Sequence, residues 1–218
     1  MYKRQGSDRL TAFGTDGFTT GSNGGTNGNN NTYVSWHWKA NGAGSANTDG
    51  ATASTVSVNT TAGFSIVKWT NSTSNATTVG HGLGVAPQLI LTKTTSSNGH
   101  NWHVYHHKLD TTPEGDYLIL NNTSTKSTAT NIWNDTAPTS TVFSTGNNGA
   151  LINNTLIAYC FAEKKGYSKF GSYTGNGNAD GTFVYTGFKP AWVMVKSTQS
   201  GNTNNWICLL YTSDAADD

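Results

Sequence analysis

Thr155-Leu156-Ile157-Ala158-Tyr159-Cys160-Phe161 places large apolar residues at Ile157, Tyr159 and Phe161, with smaller ones between. A period of two is the mark of a strand with one buried face. Upstream lie Phe143-Ser144-Thr145-Gly146-Asn147-Asn148 and an Asn-rich turn. The same order occurs near the start of the chain. Phe18-Thr19-Thr20-Gly21-Ser22-Asn23 and an Asn-rich turn lead into Thr32-Tyr33-Val34-Ser35-Trp36-His37-Trp38, with Val34, Trp36 and Trp38 at the alternate positions.

Two further blocks recur in the same sequence. Gly63-Phe64-Ser65 through Asn71 matches Gly166-Tyr167-Ser168 through Asn176, each a strand pattern running into a Gly/Asn turn. Val79 to Lys93 followed by Trp102 matches Val184 to Lys196 followed by Trp206: a Gly, a Pro, an apolar run ending in Lys, a polar hairpin-like loop, then Trp. Matched blocks lie roughly 100 to 125 residues apart, which reads as one near-complete unit and a truncated second copy. The expected fold is all-β, an antiparallel, jelly-roll-like β-sandwich, with residues 6–142 as the first unit and 143–207 as the second. Because a one-residue slip sends every large side chain to the other face, matched patterns predict matched register. Trp36, Trp102 and Ile90 in the first unit, and Tyr159, Trp206 and Val193 in the second, are the expected equivalent core positions.

Composition supports the class. Only 11% of residues are charged, against about 25% in typical soluble domains, and Asn, Thr, Ser and Gly fill the gap. These are poor residues for a helix interior, so strands and turns dominate. A net charge of +1 from scattered Lys and Arg gives no field for nucleic acid and no polybasic or amphipathic signal for a membrane surface. No apolar run approaches the roughly 20 residues of a membrane-spanning helix. The opening Met1–Gln5 and the closing Cys208–Asp218 resemble translated sequencing adapter, so residues 1–5 and 208–218 are set apart and an open frame cut on both sides is expected. Cys160 then remains the single thiol, read as a small core hydrophobe.

Chemistry is sparse. Asp110, Glu114 and Asp116 form the one cluster of carboxylates and read as a solvated hairpin loop. The Gly80-His81-Gly82-Leu83-Gly84 run has no following Lys-Ser/Thr and leads through Pro87 into a strand, so it reads as a tight turn and not a phosphate loop. His100, His103, His106 and His107 fall close together, and His103, Tyr105 and His107 share one strand face opposite Trp102, Val104 and His106. These three are the candidate ligand-binding residues, expected as an exposed polar and aromatic strip that holds no metal. No catalytic residue and no cofactor is expected.

The segments Tyr33 to Gly42, Gly80 to Pro87 and Ala158 to Gly177 resemble a domain of unknown function found in large virion or tail-fibre-like proteins of marine bacteriophages, a resemblance that covers Phe13 to Trp206. It implies a particle-associated, extracellular structural protein. Its expected partners are other virion subunits, as in a homotrimeric fibre, and bacterial surface glycans. A polysaccharide depolymerase and a ligand-free architectural spacer are the alternatives, the first separable by a pair of carboxylates in one groove.

Overall fold

The computed structural model describes residues 8–97, 99–199, 201 and 203–211. The chain divides into two compact units, one ending at Trp38 and the other beginning at Lys39.

In the first unit β1 (Leu10–Phe13) and β2 (Phe18–Thr20) form an antiparallel hairpin, closed by Gly14 N–H on Gly17 O at 2.8 Å. A four-residue helical turn, α1 (Gly24–Asn27), is capped by Asn23, whose Oδ1 accepts from Gly25 N–H. The Tyr33 hydroxyl then clips the chain, donating to Gly24 O at 2.7 Å and accepting from Gly28 N–H at 2.8 Å. Thr32–Trp38, expected as a strand, forms none here, and the expected core residue Trp36 is 44% exposed. A strand exists only when a neighbour completes its ladder, and this segment joins none of the sheets formed by the described residues.

The second unit contains β3 (Ser45–Asn47), β4 (Ser54–Asn59), β5 (Phe64–Asn71), β6 (Thr77–Gly80), β7 (Leu89–Thr94), β8 (His103–His106), β9 (Asp116–Ile119), β10 (Ser127–Thr128), α2 (Thr130–Trp133), β11 (Val142–Thr145), β12 (Asn154–Phe161), β13 (Trp192–Val195) and β14 (Ile207–Leu210). Eight of these strands make one antiparallel sheet in the order β10-β9-β8-β7-β12-β5-β4-β3. β6 pairs with β11, and β13 with β14. The fold is all-β and sandwich-like, as expected.

Register fixes the two faces of the large sheet. On one face Trp69, Leu156 and Thr94 lie in line, then Val67, Ala158 and Thr92, then Ser65, Cys160 and Ile90. The β6–β11 pair, α2 and the turn carrying Leu151 cover this face, bringing Val79, Phe143, Ile132 and Trp133 into a common core. Trp69 meets Phe143 edge-on at 5.5 Å, and Tyr105 meets Trp133 edge-on at 5.8 Å. The opposite face is covered only in part. Leu89, Val104 and Leu118 are buried beneath Leu109, with Phe170 and Trp206 packed beside them, while Lys68 and Thr70 are exposed.

Three expectations change. The boundary between 142 and 143 cuts β11 in two, and it assigns β12 to a second unit although β12 joins β7 to β5 at the middle of the sheet. Without β12 both of those strands would end in open edges, so its long apolar ladder goes where it closes most backbone hydrogen bonds. Second, the buried face of β12 is Leu156, Ala158 and Cys160, each with no exposed surface, while Ile157, Tyr159 and Phe161 are half-buried. Period two is correct, but the fuller second layer lies over the smaller residues. Third, of the expected core set Ile90 and Trp102 are buried, Tyr159 and Trp206 are half-buried, and Val193 is 36% exposed. Met1 to Gln5 and residues 212–218 lie outside the described residues, whereas Cys208, Leu209 and Leu210 form β14 with exposed side chains.

Candidate functional site

The expected strip of His103, Tyr105 and His107 is not an exposed surface. His103 and Tyr105 are 7% and 3% exposed, because their face of β8 is the one covered by α2 and the β6–β11 pair. Burial among apolar groups, with the charges of His100 and Lys93 nearby, pulls the His103 pKa down to about 4. Its ring lies 5.6 Å from that of Tyr117, and its buried Nδ1 has no hydrogen-bond partner. Burial raises the Tyr105 hydroxyl to about 12, with Glu114 adding to the shift. His107 lies past the end of β8, half-buried, with a ring nitrogen 2.9 Å from Phe170 O. The alternation along Trp102–His106 is as expected, but both faces are covered, and a sequence pattern carries no signal of a second cover.

His81, read as part of a tight turn, is fully buried and joins two strands' ends. Its Nδ1 accepts from Leu83 N–H at 3.2 Å, which leaves Nε2–H to donate to Thr139 O at 3.2 Å. That pair of bonds is made by the neutral ring, and burial holds the pKa below its ordinary value. The expected carboxylate cluster is tied to a cation. Lys126 bonds both Asp110 and Asp116, the latter at 2.9 Å, and Asp116 also accepts from the Thr128 hydroxyl at 2.6 Å. Among the described residues no three His, Cys, Asp or Glu side chains converge on a point that could hold a metal ion.

What the sheet does assemble is a polar end. The loops after β5, after β7, after β9 and before β12 meet where those strands finish, and their amides and hydroxyls bind one another. Asn71 Nδ2 donates to Asn75 O and to Leu151 O. Ser96 donates to Asn154 Oδ1 while accepting from Thr155 N–H, both at 2.9 Å. Asn121 bridges to Asn101 Oδ1 and takes the Trp102 N–H on its own Oδ1. Within the loops, Asn71, Asn122 and Asn148 each accept through Oδ1 from the N–H two residues on. This is the Asx turn, which supplies the backbone with a local acceptor and stiffens a loop. Thr73, Asn75, Thr95, Ser96, Asn101 and Asn147 remain exposed at this end. The sequence marked these stretches as turns; that four of them meet follows from strand order, which no local pattern encodes.

The model of a domain of unknown function, DUF7483, matches residues 2–215. The chain belongs to this family. The DUF7483 match takes in residues 2–5 and 208–215, the two segments set apart as adapter-like. No curated protein and no solved structure matches the chain.

Proposed function

We propose that this DUF7483 chain is a structural and adhesive module of a virion fibre or a related particle-surface protein, which presents the polar end of its large sheet to bacterial surface polysaccharide. The observation that carries the reading is the set of Asn, Thr and Ser loops held rigid by Asx turns and by one another. Polysaccharides offer hydroxyls in fixed array, and preorganised amides and hydroxyls bind them with little further loss of conformational freedom. The low charge fits a neutral, hydroxyl-rich ligand. The ion pairs of Asp110 and Asp116 with Lys126, and the buried neutral histidines, read as structural elements of the scaffold.

The test is binding of the fluorescently labelled chain to bacterial cells and to immobilised capsular and lipopolysaccharide glycans. Binding that falls at least ten-fold after periodate oxidation of the glycan, and by a similar factor in the Asn75→Ala/Asn101→Ala/Asn147→Ala variant with an unchanged melting midpoint, is the expected result. Binding that survives both treatments, or no binding to any glycan, removes the adhesive reading.

A further inference from the structure

Asparagine followed by glycine carries a reaction of its own. With no Cβ on the next residue to shield it, the glycine's main-chain nitrogen can reach the asparagine Cγ and displace ammonia, which closes a five-membered cyclic imide. Water then opens that ring at either carbonyl and leaves an aspartyl or an isoaspartyl residue, so an amide and one water become a carboxylate and ammonium. The ring closes only where the amide is free to turn onto that nitrogen. The chain has this dipeptide at Asn23, Asn27, Asn41, Asn98, Asn148 and Asn176, and Asn98 lies outside the described residues.

Most of these amides are tied. Asn23 accepts from Gly25 N–H at 2.9 Å and donates to Asp8 Oδ2 at 2.8 Å. Asn27 donates to Gly21 O at 2.9 Å, and the nitrogen that would attack it, that of Gly28, donates to the Tyr33 hydroxyl at 2.8 Å. In its Asx turn Asn148 accepts from Ala150 N–H at 3.0 Å, and Asn176 accepts from Asn178 N–H at 3.1 Å while donating to Asp180 O at 2.8 Å. Asn41 differs. Its side chain is exposed and makes no hydrogen bond with any described residue, and the same holds for Gly42 N–H. Gly42 stands in open space, where even an added Cβ would meet nothing within 4 Å.

We infer that Asn41 is a site of spontaneous deamidation, converting ahead of Asn23, Asn27, Asn148 and Asn176, and that its isoaspartyl product unlatches the segment leading into β3. The main chain around it is held by one hydroxyl: Ser57 Oγ accepts from Asn41 N–H at 2.9 Å and donates to Gly42 O at 2.8 Å. Both bonds need the native spacing. An isoaspartyl link runs the chain through the side chain and adds a methylene between those two groups, so they no longer meet one oxygen together. Ser57 is 8% exposed, and a buried hydroxyl that loses a partner is destabilising. Asn59 Nδ2 donates to Lys39 O at 3.0 Å, and Gly44 lies against Val56, so residues 39–44 run along β4. Their release slackens β3, the outer strand of the large sheet.

The experiment incubates the full chain in mildly alkaline buffer and follows each asparagine by peptide mass spectrometry, with isoaspartyl groups counted by enzymatic methylation. Asn41 is expected to convert at least about ten-fold faster than Asn23, Asn148 or Asn176, whose amide bonds must break first. Deuterium uptake over residues 39–47 should rise in step with the isoaspartyl fraction. In Asn41→Gln, whose longer side chain would have to close a six-membered ring, neither change should appear. An Asn41 amide that stays intact, conversion at Asn23, Asn27, Asn148 or Asn176 as fast as at Asn41, uptake over 39–47 that does not follow the isoaspartyl fraction, or uptake that rises equally in Asn41→Gln would each overturn the inference.

Discussion

Two hairpins of one register are buried very differently. β7–β8 carries Ile90, Val104 and Tyr105 at 3% exposure or less, whereas β13–β14 leaves Val193, Ile207, Leu209 and Leu210 between 36% and 58% exposed. The two share a closing bond, His107 N–H to Gln88 O and Tyr211 N–H to Ala191 O, and a lysine that bonds across the loop, Lys93 to His100 O and Lys196 to Asn204 O, so the hairpin's conformation is set locally and its burial by what packs around it. β7 has β12, and β8 has β9. The second hairpin reaches the end of β9 and the loop after it, where Trp206 Nε1–H donates to Ile119 O at 2.9 Å and Lys196 donates to Thr123 O at 2.9 Å. If this separation holds, substitutions at matching positions of the two hairpins will have unequal effects.

The largest contrast is expected at the tryptophans. Trp102 is 6% exposed and stacks on Tyr159 at 5.9 Å with an interplanar angle of 18°, so Trp102→Ala should cost about 3–5 kcal/mol. Trp206 is half-buried, and Trp206→Ala should cost about 1–2 kcal/mol, its smaller lost area. Urea midpoints of the two variants measure both; equal losses would mean that the second hairpin is as much a part of the core as the first.

Next in size is the acid response. His103 takes the place in the first hairpin that Ile207 takes in the second, and His103 and His106 are both held near pKa 4 by burial. A histidine whose folded pKa is depressed below its unfolded value near 6.5 contributes stability that is present above pH 6.5. That stability is lost as pH falls toward the folded pKa, because the unfolded chain takes up the proton first. His103 alone should account for about 2–3 kcal/mol of loss between pH 7 and pH 4.5. In His103→Ile the difference between the unfolding free energies that urea titrations give at those two pH values should shrink by that amount. An unchanged difference would place the acid sensitivity elsewhere, with buried His81 and half-buried His106 as the remaining rings whose pKa burial lowers.

Much of this comparison was readable beforehand. The strand class, the recurring Gly, Pro, Lys and Trp positions and the turns at Asn-rich stretches all rest on local rules. Two things were not. Alternation is symmetric between faces, so Ile157, Tyr159 and Phe161 looked like the buried set until a second layer was seen over Leu156, Ala158 and Cys160. The partner of a strand is a non-local choice, so β12 could be recognised as a strand but not placed between β7 and β5. The polar end was missed for the same reason, and His103 and Tyr105 were misplaced because a partly polar strand face can still be covered.

The smallest contrast concerns the matched glycines Gly63 and Gly166, and it separates strain from collision. Both lie in the left-handed region, at φ of 66° and 75°, where an added Cβ is unfavourable by itself. At Gly166 a Cβ would meet nothing within 4 Å. Gly166→Ala should therefore cost about 1 kcal/mol, the conformational term alone. At Gly63 the Cβ would fall 2.3 Å from Ala162 O, a backbone atom. That strand end cannot retreat freely, because Ala162 N–H donates to Gly63 O at 2.7 Å and Ala162 follows directly on β12. Gly63→Ala should cost about 2 kcal/mol, the same conformational term plus a shifted β5–β12 junction. Thermal midpoints of the pair decide the matter: if the two alanines cost the same, the Gly63 turn is as loosely held as the Gly166 turn, and the sheet's end at β12 is not the rigid element that sets the two turns apart.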